Sequence, residues 1–381
     1  MALVLAAGCG VDGHGFTVRV ALSDAPLAVV AYRDGDGEFA TLTPTAGSVS
    51  FDASSGRYTV AVGCPLKKTV DVYQGTVEEL AVITHDRTCL PSPSVALSGQ
   101  FNNNGPSGQV VKWGQDVGFF ANFPMPSYMT LLTEGTHDLV ATRNAYLADR
   151  VVIERAFSAN TASTVDVDFA GPLAITLSPQ SIQANGIGLY GTISNTLVTS
   201  GGTVINLSTG AELAMVMPES SLGAEDFQIL EAFGQTGLAT NVPVFSTRHV
   251  VRSVPTMVAL PMETAEPPTV TPIVTNNQLL VAATWPAQPA AISYTLLVGS
   301  WTVQVSAEAF ATHDLVAVPD LTGVVGWDSM LALVPPQGTP ARFKWTLVAE
   351  SGVALDDAWR IVPVKEGILN SSGWSGESQL E

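Results

Sequence analysis

The sequence lacks any apolar run of 18 or more residues, because proline, glycine and asparagine interrupt every candidate. A membrane-spanning helix is therefore not expected within it. Charge is also scarce, at 13% of residues, and 16 Lys and Arg against 34 Asp and Glu give a formal net charge of −18. A field of that sign repels phosphate backbones, which argues against nucleic acid as a partner. The hydrophobic share of 46% supplies enough apolar surface for folded cores.

Motifs for catalysis and metal binding are scarce as well. The five histidines lie far apart, and the three cysteines form no C-x-x-C pair, so no metal site and no cofactor are predicted. Neither G-x-S-x-G nor H-E-x-x-H occurs. A G-x-G-x-x-G match spans residues 186–191, but β-branched and glycine-broken residues follow it, whereas a dinucleotide site needs a helix there. The sequence predicts no catalytic residue and no enzymatic activity.

Strand patterns fill the chain instead. Segments such as FTVRVAL, QVVKW and TVQVSA alternate apolar and polar residues with a period of two, and glycine-rich turns separate them. Short strands at this spacing predict an all-β fold of tandem β-sandwiches, immunoglobulin-like or transthyretin-like. One run, residues 224–233, fits a helix or a strand, and its context favours a strand.

Proline-rich segments predict the domain boundaries. The clearest are LPSPS at residues 90–94 and AEPPTVTP at residues 265–272, because proline cannot join a central ladder of hydrogen bonds. The tail SSGWSGESQLE lacks a core-forming period and is expected to be mobile. The predicted units are a signal remnant and tether (1–14), four β-sandwiches (15–91, 92–171, 172–265 and 266–369) and a mobile tail (370–381).

An apolar segment near the start, LVLAAGC, closes on small residues immediately before Cys9. It resembles the lipobox of bacterial lipoproteins, in which the cysteine thiol receives a diacylglyceryl group. Ala7 and Gly8 fit that pattern, whereas Ala6 stands where the family prefers leucine, and no Lys- or Arg-rich region precedes the segment. The alternative is a short first strand with a free cysteine. The resemblance implies an exported protein of the bacterial envelope, at the outer membrane or cell surface, anchored in the membrane through Cys9.

Export bears on the other two cysteines. Exported proteins tend to pair an even number of cysteines. If Cys9 is acylated, Cys64 and Cys89 remain and are expected to form a disulfide. Such a bridge would close a loop of about 25 residues and contribute about 3 kcal/mol in the chain-entropy model.

Two further patterns carry open alternatives. Asp34, Asp36 and Glu38 alternate as in calcium loops, but Phe39 and Thr45 stand where an EF-hand needs glycine and glutamate. A hairpin turn is therefore favoured over a weak calcium site. The peptide THDLVA occurs at residues 136–141 and again at 312–317, which indicates either duplicated domains or chance. The hairpin and the GRYTVAV strand look like carboxypeptidase-regulatory or immunoglobulin-like modules of envelope proteins.

Three functional hypotheses follow. The first is a lipid-anchored envelope protein with a structural or interaction role, whose partner is an envelope protein or a polysaccharide. The second is carbohydrate binding by the last module, which with its tail holds six of the seven tryptophans. Trp327 lies in a predicted loop and is the candidate ligand contact. The third is an extracellular hydrolase whose acidic residues meet only in the fold. The adjacent pairs Glu225-Asp226 and Asp356-Asp357 are expected to be solvated turns.

Overall fold

The protein is all-β in the computed structural model, as the sequence predicts. The structure describes residues 16–22, 28–45, 47–87, 89, 94–114, 117–185, 190–237, 241–261, 266–275, 278–312, 314–327, 342–360 and 365–379. Residues 227–235 form a strand, which confirms that the ambiguous run is not a helix. In this part of the chain, no helix is long and apolar enough to cross a membrane.

The strands fall into four consecutive groups along the chain. The first group comprises β1 (Phe16–Leu22), β2 (Val29–Asp34), β3 (Ala40–Leu42), β4 (Ser48–Ala53), β5 (Arg57–Cys64), β6 (Thr69–Thr76) and β7 (Val82–His85). The second group comprises β8 (Ser94–Asn102), β9 (Gln109–Trp113), β10 (Val117–Ala121), β11 (Ser127–Thr133), β12 (Gly135–Arg143), β13 (Arg150–Ala159), β14 (Ser163–Thr164), β15 (Val167–Asp168) and β16 (Ala174–Thr176).

The other two groups follow, with three short helical segments. The third group comprises β17 (Ser178–Ser181), β18 (Gln183–Asn185), β19 (Tyr190–Val198), β20 (Val204–Gly210), β21 (Leu213–Val216), a 3₁₀ turn (Glu219–Ser221), β22 (Phe227–Gln235), β23 (Val242–Val251) and β24 (Met257–Ala259). The fourth group comprises β25 (Thr269–Thr275), β26 (Gln278–Thr284), β27 (Ser293–Val298), β28 (Trp301–Ser306), α1 (Ala307–Ala311), β29 (Leu315–Ala317), β30 (Arg342–Ser351), α2 (Leu355–Ala358) and β31 (Gly367–Gln379).

The first and second groups each close two sheets over a core. In the first group the sheet β4-β1-β7 faces β6-β5-β2-β3, and the alternating residues Val18, Val60 and Ile83 meet between them. In the second group β11-β8-β14 faces β10-β9-β12-β13-β16 around Trp113 and Phe169. Period-two alternation explains this arrangement, because every second side chain of a strand points to the same face.

One sheet of 12 strands runs through three of the four groups. Its order is β20-β19-β22-β23-β31-β30-β27-β28-β6-β5-β2-β3. Antiparallel pairing of β23 with β31 joins the third group to the fourth, and parallel pairing of β28 with β6 joins the fourth to the first. Hydrogen bonds of the main chain therefore continue from one sandwich into the next.

The prediction of a mobile tail from residue 370 is wrong. Residues 370–379 belong to β31, which pairs with β23 on one side and β30 on the other. Its glycines permit close packing: a Cβ added at Gly373 would lie 2.0 Å from the Leu347 carbonyl oxygen, and one at Gly376 would lie 2.1 Å from Asn241 Oδ1. The strand is held by its main chain, so its side chains show no core period.

The first and fourth groups share a layer of the fold. Val60 and Val62 of β5 contribute to the core of the first group, whereas Ala61 on the opposite face contributes to the core of the fourth. Val70 and Val72 of β6 also contribute to the core of the fourth group. The units predicted at residues 15–91 and 266–369 are therefore separate along the chain, but their hydrophobic cores share the strands β5 and β6.

A charged clamp joins the second group to the third. The Arg155 guanidinium on β13 donates to Asp138 Oδ2 at 2.7 Å and, through Nη1, to Asp226 Oδ1 at 3.0 Å. The backbone amides of Ser200 and Gly223 also donate to Asp226. Asp226 is buried, so the expectation of a solvated turn at residues 225–226 is wrong for this carboxylate.

The two THDLVA peptides adopt different structures. In the first, His137 lies at an irregularity of β12, and its Nδ1 donates to the Gly201 carbonyl at 2.7 Å. In the second, Thr312 caps the C-terminus of α1 and Asp314 has a positive φ of 48°. His313 lies outside the described residues. The repeated peptide is therefore not a repeated structural unit.

Candidate functional site

The tryptophans of the fourth group are buried in hydrophobic cores instead of forming a surface platform. Trp285, Trp301 and Trp345 are buried in the core of the fourth group, and Trp374 is partly buried against it. Trp359 is buried in the core of the first group. Trp327 has an exposed fraction of 0% and packs with Leu321 and Val318. The prediction that Trp327 is exposed is wrong, because the apolar segment before it folds onto the sheet.

The structure tests the prediction for two of the three cysteines. Cys9 lies outside the described residues, so its acylation stays a prediction. The predicted disulfide is confirmed: Cys64 and Cys89 are bonded, with 25 residues of sequence separation. Their sulfur atoms and a ring nitrogen of His85 lie within 4.8 Å of one another. The two sulfurs are bonded to each other, so in this oxidised form they offer no thiolate to a metal ion.

The alternating carboxylates 34, 36 and 38 lie at the hairpin that connects β2 to β3. Asp34 accepts hydrogen bonds from the backbone amides of Ser54 and Ser55, and Asp36 lies 3.1 Å from the Arg57 guanidinium. This confirms the favoured hairpin. Residues 186–189 of the glycine motif lie outside the described residues, and the strand β19 follows them where a nucleotide site would need a helix.

One cavity, beside the turn at residues 223–226, is built from groups that already bond to one another. It has a volume of about 490 Å³ beside Asp226 and Arg252. Asp226 belongs to the clamp with Arg155, and Arg252 Nη1 donates to the carbonyls of Gly223, Ala224 and Asp226. Its polar lining therefore stabilises the turn at residues 223–226.

A second concave region crosses the 12-stranded sheet, and we call it the central groove. It consists of two adjoining cavities of about 180 and 210 Å³, which share Arg248 and Glu350. The smaller cavity is further lined by Asp71, Arg87, Thr302, Gln304, Trp359 and Arg360. The larger is further lined by residues that include Glu231, Ser246, Thr295, Thr346 and Ser371.

Strand alternation places these polar side chains on one face. Tyr294 and Leu296 of β27 point into the core of the fourth group, so Ser293 and Thr295 point to the opposite face. Thr302 and Gln304 of β28 follow the same rule, and Thr302 is in register with Asp71 of the parallel neighbour β6. The wall of the groove next to β6 is formed by Trp359 and Arg360, which follow α2, and by Arg87, which follows β7.

Glu350 is a buried carboxylate at the centre of the groove. Its Oε2 accepts hydrogen bonds from Ser293 Oγ at 2.6 Å and Thr295 Oγ1 at 3.1 Å. Burial raises the pKa of Glu350, while the two hydroxyls and the charge of Arg248 oppose that rise. The exposed fraction of Glu350 is 8%, so the groove holds an acid largely withdrawn from water.

Asp71 lies at the end of the groove and is buried as well. Burial raises its pKa to about 6, although the guanidinium of Arg87, 3.4 Å from Oδ1, and a hydrogen bond from Thr302 act in the opposite direction. Its Oδ2 is buried and accepts no hydrogen bond within the described residues. A buried oxygen that accepts no hydrogen bond costs free energy, which marks Asp71 as the unusual group of this site.

His85 is neutral beside Asp71. Burial, together with the nearby charge of Arg87, lowers the pKa of His85 to about 3. The contact of 3.8 Å between His85 Nδ1 and Asp71 Oδ2 is therefore not an ion pair at neutral pH. A hydrogen bond of 3.1 Å links His85 Nδ1 to the Tyr73 hydroxyl.

The groove combines hydrogen-bond acceptors and donors. Asp71 and Glu350 supply carboxyl oxygens, and Arg87 and Arg248 supply guanidinium donors, each about 29% exposed in its side chain. The sequence alone did not identify any of these residues, because an acidic residue at an alternating strand position is typical of a solvent face. The available signal was the lone charge within TVDVYQ and TLVAES.

Comparisons with known proteins add little to this geometry. No protein-family model matches the chain, and no curated protein matches it. One similar solved structure is described as a "tetra-tandem repeat in extending region of large adhesion protein". It is 12% identical, the alignment covers 96% of this chain and 99% of that chain, and the TM-score is 0.16. A likeness this low carries no argument about fold or function.

Proposed function

We propose that the protein is a lipid-anchored, non-catalytic component of the bacterial envelope with a structural or interaction role. The continuous 12-stranded sheet is the observation that carries the proposal. A scaffold must hold its modules in fixed relative positions, and modules joined by backbone hydrogen bonds and shared cores meet that requirement better than modules on flexible linkers.

Two further observations support export and anchoring. The Cys64–Cys89 disulfide fits an oxidising compartment outside the cytoplasm. The lipobox-like residues before Cys9 fit attachment to a membrane through an acylated cysteine. In this proposal Cys9 anchors the chain, and the sandwiches project from the membrane toward an envelope protein or a polysaccharide.

Acylation is tested with the gene and its upstream region in a related bacterium. We expect the full-length protein to partition into the detergent phase and to carry the mass of a diacylglyceryl group. A Cys9→Ala variant should remain in the aqueous phase, and Cys64→Ala with Cys89→Ala should still be acylated as the matched control. An unmodified, aqueous wild-type protein would contradict the anchor.

The scaffold role needs a separate measurement in cells. We expect deletion of the gene to increase envelope sensitivity to detergent, and the wild-type gene to restore resistance. The Arg155→Met variant, which breaks the clamp between the second and third groups, should restore it only in part. Unchanged sensitivity in the deletion strain under osmotic and detergent stress would argue against a structural role.

A further inference from the structure

The small cavity of the central groove has the features of a ligand site. It is lined by Asp71, whose side chain is more than nine-tenths buried, and its Oδ2 accepts no hydrogen bond in the described part of the chain. The oxygen therefore needs a donor that the protein does not provide. A hydroxyl group that reached this carboxyl group from the cavity would lower the free-energy cost of its burial.

The surrounding charges favour a neutral ligand. Asp71 lies 3.4 Å from Arg87, and Arg248 lies 3.8 Å from Glu231. Glu350 is adjacent to Arg248 in both cavities. Taken together, the two cavities are lined by three guanidinium groups (Arg87, Arg248 and Arg360) and three carboxyl groups (Asp71, Glu231 and Glu350), so the groove as a whole carries no excess of one charge that would select an ion.

We propose that the central groove binds a neutral carbohydrate, with sugar hydroxyls donating to Asp71 and Glu350 and accepting from Arg87 and Arg248. A hydroxyl both donates and accepts hydrogen bonds, which matches the paired carboxyl and guanidinium groups. The adjoining cavity, lined by hydroxyls of Ser246, Thr295 and Thr346, would extend the site to a second sugar unit. This inference goes beyond the scaffold role and does not depend on it.

The geometry requires the binding to depend on pH. Several titratable or polar groups surround Asp71. From the neighbouring elements these are His85 at the end of β7, Asp86 and Arg87 just after it, Tyr73 on β6 and Thr302 on β28. The same cavity is also lined by Arg248, Glu350 and Arg360. Among these, His85 stays neutral in the relevant range, since burial lowers its pKa to about 3. Protonation of Asp71, whose pKa burial raises to about 6, removes its negative charge and turns one of its acceptor oxygens into a donor. Affinity should therefore fall as the pH decreases from 7.5 to 5.

The test is a titration followed by saturation-transfer NMR of four probes: glucose, galactose, mannose and N-acetylglucosamine. We expect at least one to bind with a Kd on the order of 1 mM. Asp71→Asn should weaken that binding about tenfold, the usual effect of losing one charge-assisted hydrogen bond. It should also abolish the pH dependence.

Two controls keep the outcome decisive. Asp36→Asn removes an exposed carboxylate at the distant hairpin and should bind as the wild type does. Glucuronate and inorganic phosphate probe for an anion site instead. The proposal is overturned if none of the four sugars gives saturable binding, if the two Asn variants bind equally, or if only the anions bind.

Discussion

Asp71 shows how burial decides the state of a single side chain. Its neighbours include a guanidinium that favours the charged form, yet the pKa rises to about 6 because desolvation outweighs that attraction. Three strands further along the sheet, burial also raises the pKa of Glu350, which has two hydroxyl groups as partners. Asp71 thus responds to pH well above the range of exposed acids.

This rise in pKa makes stability depend on pH through Asp71. The folded state binds the proton more tightly than the unfolded chain, whose aspartate has a pKa near 3.8. The stabilising effect is fully present below about pH 4 and is lost as the pH rises through about 6. Asp71→Asn should therefore be more stable than the wild type at pH 8, by up to about 3 kcal/mol, and the difference should vanish near pH 4.

Urea unfolding of both proteins at pH 4 and pH 8 measures that difference. Asp36→Asn, at an exposed carboxylate, is the matched control and should follow the wild type at both values. A gap between Asp71→Asn and wild type that is equal at the two pH values would show that Asp71 does not titrate in this range.

The sequence predicted where strands lie better than it predicted which of their residues are buried. Alternation of apolar residues predicted strands such as β1 and β9 with their correct bounds, because side-chain period is a local property. The same alternation cannot show which polar positions are covered by a distant strand or helix. Asp71 and Glu350 were therefore missed, and Trp327 was placed on the surface although the core covers it.

At the scale of elements, the Arg155 clamp is a charged contact of the second group with the third. The clamp neutralises Asp226, whose side chain has an exposed fraction of 0%. Arg155→Met leaves this carboxylate buried without its partner. We expect a loss of about 2 kcal/mol in the free energy of unfolding, less than the ~3–5 kcal/mol of a fully buried pair, because Arg155 itself is partly in solvent.

Denaturant unfolding measures the loss at the clamp, with Arg342→Met as the control at an exposed pair. Arg342 and Glu377 lie 3.8 Å apart on β30 and β31, and the arginine side chain is 71% exposed. The control should cost less than about 0.5 kcal/mol. Equal costs for the two variants would show that the clamp is no stronger than a surface pair.

The strand β31 gives an element-scale test without any substitution. Residues 370–375 pair with β23 and β30, and residues 376–379 pair with β30, so their amide protons should exchange with solvent far more slowly than those of an open chain end. Hydrogen–deuterium exchange followed by mass spectrometry reports this peptide directly. Complete exchange of these amides within seconds would restore the mobile tail that the sequence suggested.

For the whole molecule, shared layers tie distant parts of the chain together. Ala31, Ala61, Val70 and Val72 of the first group are buried against residues of the fourth. A fragment of residues 15–91 would expose this face, although it carries both cysteines of the disulfide. We expect the fragment to lack a stable fold or to aggregate.

Circular dichroism and proton NMR of the oxidised fragment check that expectation against the full chain. Dispersed, sharp amide signals and a cooperative thermal transition would show that the first group folds independently. The sequence predicted the all-β fold because the alternation of residues along a strand is a local signal. It could not predict that two groups share a sheet, because pairing of β6 with β28 depends on residues about 230 positions apart.

That pairing also has a consequence for the order of events during synthesis. The chain is made from its N-terminus, so β6 leaves the ribosome long before the strand that covers its edge exists. Until β28 arrives, an unpaired edge and an apolar face stay open to other chains, which is the condition under which β proteins aggregate. We therefore expect slow folding that is dominated by long-range contacts, and a requirement for holding chaperones while the last third of the protein is still being made.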